Sequence, residues 1–178
     1  MPGCHLNEDG MKQVKRLAAE LAEVPIKAIY TSPLERAVET AEQLAIPHEL
    51  RPIQYEALSE MKFGGWEGKK FSELDKDEMW QRFNKVRSMV RPPNGELMIA
   101  VQTRMMEAAD WMQLAHKDAV IALVSHADPL RALIAHVMGV ALDHLRRIRI
   151  DPGSVSIVRS NGDWQEVAGL NYTGSIAI

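Results

Sequence analysis

Twice in this 178-residue chain a short apolar run ends in small polar residues and a proline-marked helix start: IKAIYTSP at Ile26 to Pro33, and VIALVSHADP at Val120 to Pro129. Such a run reads as a strand, and Val120 to Val124 as a buried one. A strand that hands over directly to a helix is half of a βαβ unit, whose crossover returns the chain parallel to the strand it left. Two such junctions predict an α/β protein whose ligands lie at the carboxyl ends of parallel strands.

The remaining pattern fills in the layers. Asn7 is a candidate cap for a helix over Glu8 to Glu23, with Val14, Leu17, Leu21 and Val24 near one face and Pro25 ending it. Ile26, Ala28 and Tyr30 alternate with Lys27 and Ile29, and Thr31 to Pro33 open a second helix reaching about Ala45. A short extended run follows near Ile53 to Leu58. Gly64, Gly65 and Gly68 in FGGWEG predict a shaped loop, and helices follow at Phe71–Leu74 and Lys76–Met89. The prolines of RPPNGE force a turn before a helix over Leu97 to His116, where Val101, Met105, Ala108, Ala109 and Met112 recur at helical spacing as core filling. Gly139 stops the helix that follows His126, a short helix is expected near Leu142 to Leu145, and an extended stretch at Ile148 to Ile150. The strand Val155–Val158 then turns at Asn161-Gly162 into Trp164–Val167. The expected architecture is one domain over 1–178, a three-layer sandwich with a mainly parallel sheet flanked by helices.

Composition narrows the function classes. With 21 basic against 24 acidic residues, a net charge of −3 argues against a broad nucleic-acid surface. One cysteine, Cys4, excludes a disulfide framework within the chain. Apolar runs such as VIALV fall far short of the roughly 20 residues a bilayer span needs, and MPGCHLNEDG lacks the pattern of a signal peptide. The expected setting is cytoplasmic, with no membrane or nucleic-acid partner. Neither a P-loop nor a G-x-G-x-x-G occurs, and the histidines show no compact metal-ligand spacing, so no metal or cofactor is expected.

His126 is the foremost candidate for chemistry, because it follows a strand and precedes a helix. A pKa near neutrality would let it donate to, or carry charge beside, a phosphate. Asp128 reads as a cap for the following helix. Arg36 lies in the first turns of its helix, where a guanidinium and unpaired backbone N–H groups both favour an anion; Ser32 reads as a helix cap or a ligand contact. Glu60 precedes the glycine loop, and a carboxyl in an apolar pocket there would have its pKa raised enough for general-acid work; Glu67 competes for that role. Trp66 reads as loop packing. Glu96 reads as a cap or as an acceptor for an active-site arginine. Ser125, His126 and Asp128 make a triad only on paper, since adjacent strand residues point to opposite faces.

With these residues assembled, the chain resembles the histidine phosphatase superfamily, the phosphoglycerate-mutase-like proteins, over nearly its whole length, from about Pro2 to Asn171. The similarity lies in HLNEDG, YTSPLERAVETAE, LSEMKFGGWEG, PPNGE, VSHADPLRALIAHVMG and IDPGSVSIV. It implies that Arg36, His126 and Ser32 bind phosphate, that His126 stabilises the transferred phosphoryl group, that Glu60 exchanges the catalytic proton, and that Glu96 supports them. The implied reaction is phosphomonoester hydrolysis of a small phosphorylated metabolite through a phosphohistidine, with mutase-type transfer and noncatalytic phosphate binding as alternatives. A homodimer is a further expectation. In the family the phosphohistidine forms within an Arg-His-Gly motif ending the first strand, and that motif is absent from these 178 residues. The first strand is accordingly expected to be missing, the domain to be truncated at its amino end, and this chain's own status as an enzyme stays open. His5 stands beyond the place of that motif and is not a substitute for it.

Overall fold

The computed structural model describes residues 3–162 and 164–174. In chain order the elements are α1 (Glu8–Glu20), β1 (Ile26–Thr31), α2 (Glu35–Ala45), β2 (Ile53–Gln54), α3 (Phe71–Leu74), α4 (Glu78–Lys85), α5 (Met98–Ala115), β3 (Val120–Val124), α6 (Ala127–Val137), β4 (Val155–Ser160) and β5 (Gln165–Tyr172), with single-turn 3₁₀ segments between several of them. β1 is the middle strand of a parallel sheet in the order β2-β1-β3. β4 and β5 form an antiparallel hairpin.

The layers follow from which side chains each strand sends to each face. β3 alternates cleanly: Ala122 and Val124 pack with Leu17 of α1, Leu21 at its C-cap, and Ala41 and Leu44 of α2, while Ile121 and Leu123 pack with the methionine-rich face of α5 and with α6. β1 departs from the expected alternation. Ile26 and Ile29 join the α1–α2 layer, and Ala28 and Tyr30 the other. The register against β3 shifts between Ile26 and Ala28, and the extra residue at this bulge turns Ile26 to the opposite face. Val155 of β4 reaches the α1–α2 layer and Val167 of β5 the other, so the hairpin contributes to both cores.

Several boundaries differ from the sequence expectation. α1 closes at Glu20, a turn before Pro25, and α4 is confined to Glu78–Lys85 because Asp77 caps its start, accepting from the Met79 and Trp80 amides. Asn7 caps α1 as expected, accepting from the Gly10 amide. No strand forms at 148–150, and Leu142–Arg147 is a 3₁₀ helix. β3 is half-buried rather than buried, with Val120 exposed. Its faces are covered but, among the described residues, only β1 pairs with its backbone, which leaves the other edge open. On α5, Val101, Met105 and Met112 have no accessible surface, as the spacing predicts, and Met98 joins them, whereas Ala109 is only partly buried.

Candidate active site

The site forms where two neighbouring parallel strands end. Thr31 is in register with Val124, and the Ser32 amide continues the ladder by donating to the Val124 carbonyl at 2.9 Å. The next residues on each strand are therefore held side by side: Ser32 and, as the second residue of α2, Arg36; and His126, which occupies the N-cap position of α6. The ends of β1 and β3 also aim the amino ends of α2 and α6 toward one place, as anion sites in such sheets require.

His126 is 7% exposed and hydrogen-bonded at both ring nitrogens. Nδ1 lies 3.1 Å from Arg36 Nη2, and Nε2 lies 2.8 Å from Ser32 Oγ. A guanidinium has no acceptor, so Nδ1 must present its lone pair to Arg36, and the ring proton sits on Nε2 and is donated to Ser32. His126 is thus a neutral imidazole in one tautomer. Burial, and then the Arg36 charge, pushes its pKa down to about 3, in agreement with that assignment. This corrects the expectation of a group near neutrality that carries charge in the resting site. Ser32 accepts from His126 and, at 3.2 Å, from the Leu34 amide, but the helix cap position is Leu34 itself.

Glu60 sits on the bend between the Glu56–Leu58 turn and the glycine loop, with Oε1 accepting from the Met61 amide at 2.9 Å. Burial raises its pKa to about 7; the carboxylate of Asp128 adds to the rise and Arg36 opposes it. Glu60 therefore shares the electrostatic neighbourhood of Arg36 and of the first turn of α6. Its competitor Glu67 is exposed and accepts from the Gly64 amide within its own loop. Trp66 packs that loop, as expected, and donates from Nε1 to Asp77.

Asp128 is not a helix cap. It is buried and divides its oxygens between Arg87 Nη1 at 2.9 Å and Arg131 Nη1 at 3.1 Å. Ser125 points away from His126 and donates to the Leu58 carbonyl, so the paper triad does not exist. His5 is bound to Glu39 on the exposed side of α2. Among the described residues no cluster of three His, Cys, Asp or Glu side chains is placed to hold a metal ion, and no helix is long and apolar enough to cross a membrane. Glu96 is held in a two-pronged pair by Arg104, at 2.9 and 3.1 Å. Arg104 and Arg87 were not singled out from the sequence. The available signal for Arg104 was a charged side chain at the border of the buried stripe formed by Val101, Met105 and Ala108.

Comparison with known proteins decides the family. Residues 1–173 match the family model of the histidine phosphatase superfamily, branch 1. The chain belongs to that superfamily. This histidine phosphatase relative is 29% identical over 170 residues to phosphoserine phosphatase 1 of Hydrogenobacter thermophilus, covering 94% of this chain and 81% of that protein. It is 32% identical over 172 residues to a bifunctional protein of Mycobacterium tuberculosis, covering 95% of this chain but only 47% of the mycobacterial one. The solved structure of Bacillus stearothermophilus YhfR superimposes with a TM-score of 0.86 at 33% identity, covering 92% of this chain and 83% of that one. The chain has the α/β fold of this superfamily, whose members act on small phosphorylated metabolites.

Proposed function

We propose that this chain binds the phosphoryl group of a small phosphorylated metabolite between Arg36, Ser32 and His126, with Glu60 as the acid that protonates the departing oxygen. The observation that carries this reading is a buried carboxyl with its pKa raised to about 7 in the field of Arg36, the same guanidinium that lies 3.1 Å from the ring of His126. A phosphomonoester dianion entering this cradle meets a guanidinium able to grip two oxygens and an imidazole N–H, and its charge raises the pKa of His126 toward the cationic form. With no Arg-His-Gly histidine in these 178 residues to take the phosphoryl group, water forms the new P–O bond as the ester P–O bond breaks, and the proton on Glu60 passes to the alkoxide leaving group. The proton of the attacking water ends on the phosphate product, and solvent reprotonates the Glu60 carboxylate.

A hydrolase reading is preferred over mutase-type transfer because the stretch between Gly68 and Arg91 is short; both a phosphoserine phosphatase and a phosphoglycerate mutase stand among the similar proteins. The test is titration with inorganic phosphate and with a small phosphomonoester, followed by ³¹P and imidazole NMR, with phosphate release measured in parallel. Saturable binding lost in Arg36→Gln supports the cradle. Phosphate release lost in Glu60→Gln supports the acid, and binding without release supports the noncatalytic alternative. Absence of binding by the unmodified chain overturns the proposal.

A further inference from the structure

We infer that Arg104 is a positioning residue for Glu60, clamping the bend that carries the acid from both of its ends. The inference rests on Glu60 being the proton donor, and it stands on a set of contacts that converge on one guanidinium. Nη1 donates to the Ala57 carbonyl at 2.5 Å, three residues before Glu60, while Nε and Nη2 grip both oxygens of Glu96. Glu96 is in turn fastened to the residue two beyond Glu60: its amide donates to the Lys62 carbonyl at 2.8 Å, and its Oε2 lies 3.4 Å from the Lys62 amide. Arg104 therefore holds position 57 directly and position 62 through Glu96, and Glu60 is strung between them.

The anchor itself is rigid. Arg104 and Val101 share α5, whose adjoining residues Val101 and Met105 are fully buried, so the guanidinium extends from a fixed helix rather than from a loop. The two segments it joins are also in tight contact. Gly65 donates its amide to the Pro93 carbonyl at 2.7 Å, and a side chain on Gly95 would strike the Lys62 carbonyl. A second tie, from Ser125 Oγ to the Leu58 carbonyl at 2.7 Å, registers the same bend against the strand end that bears His126. A planar fork that satisfies a carboxylate and a carbonyl together is a job for arginine; a lysine ammonium supplies the charge without the geometry.

The test reads the ionisation of Glu60, which needs no turnover. Among the described residues, the charged side chains that act on it are Asp128 on α6 and Arg36 on α2, and these are left unchanged. The carboxyl carbon of Glu60 is followed by NMR in ¹³C-glutamate-labelled protein, assigned through Glu60→Gln, in the parent, Arg104→Gln and Arg104→Lys. Loss of positioning admits water to the bend, and the midpoint falls from about 7 by about one pH unit or more in both variants. Loss of a positive charge acting through space moves it the other way, upward, and lysine restores it. An upward shift, restoration by lysine, or an unmoved midpoint in a variant that melts earlier overturns the inference, the last because it marks Arg104 as structural only. Should Arg104→Gln not fold, Arg104→Lys and Glu96→Gln carry the test on the same criterion. Binding of inorganic phosphate is measured on the same samples: a parent protein that fails to bind it sinks the functional reading, while the Glu60 titration still decides the role of Arg104.

Discussion

Replacing Glu60 by glutamine should stabilise this protein, and only at higher pH. An ordinary glutamate titrates at 4.5, and burial has moved Glu60 to about 7. The folded protein therefore holds a proton across a range of about 2.5 pH units in which the unfolded chain has released it. Below about 4.5 both states are protonated and the site costs nothing; stability then falls as pH rises, and the loss is complete above about 7. At about 1.4 kcal/mol per pH unit, keeping an ionised Glu60 in the folded site costs on the order of 3 kcal/mol. Glutamine preserves the shape and the acceptor for the Met61 amide without the charge. Urea unfolding of the parent and Glu60→Gln from pH 4.5 to pH 8.5 should give matching stabilities at the acid end and a gap that opens to about 3 kcal/mol at the alkaline end. A gap that is constant with pH, or that closes as pH rises, refutes the reasoning.

His126 sets the opposite limit. Its pKa is depressed from 6.5 to about 3, so its contribution is complete above about 6.5 and is lost as pH falls toward 3; His126→Asn should flatten the acid limb of the same unfolding series. Arg36→Gln should weaken inorganic phosphate binding about tenfold or more, in keeping with a charge-assisted hydrogen bond of ~1.5–3 kcal/mol, with little change in melting temperature. Asp128→Asn removes the charge shared by Arg87 and Arg131, whose side chains are 8% and 24% exposed, and should cost about 3–5 kcal/mol in urea unfolding. Gly64→Ala should lower the urea midpoint by an amount equivalent to about 2 kcal/mol or more, because φ is +54° there and the new methyl group would collide with the Pro93 carbonyl.

What the sequence revealed and what it concealed divide along the range of the interactions. The strand-to-helix junctions at Ser32 and His126 are local, so Ser32, Arg36 and His126 were readable as candidates from two short segments, whereas the direct pairing of β1 with β3 that holds them side by side appears only in the strand register. Glu60 was readable as a candidate from its glycine-loop context and was set above Glu67 by the family resemblance alone; the burial that raises its pKa comes only with the folded bend. Arg87 and Arg104 escaped because their defining partners, Asp128 and Ala57, lie 41 and 47 positions away in the chain. No periodicity reports such distant pairings. The bulge at Lys27 was hidden for a related reason: the alternation around Ile26 is compatible with an unbroken strand, and only the register against β3 exposes the extra residue. The electrical state of His126 was misjudged because a ligand-free site places it against a cation, a fact of assembly rather than of composition.

The open edge of β3 has a practical meaning for anyone handling this protein. Natural sheets guard such an edge with a lysine, a proline or an inward charge, and VIALV carries none of them. The amides and carbonyls of that edge have no strand partner among the described residues, and, flanked by aliphatic side chains, they are a template onto which another chain can add strand by strand. Loss of material on concentration, and its suppression by a single charged residue set into that edge, would be the laboratory signature of that exposed ladder.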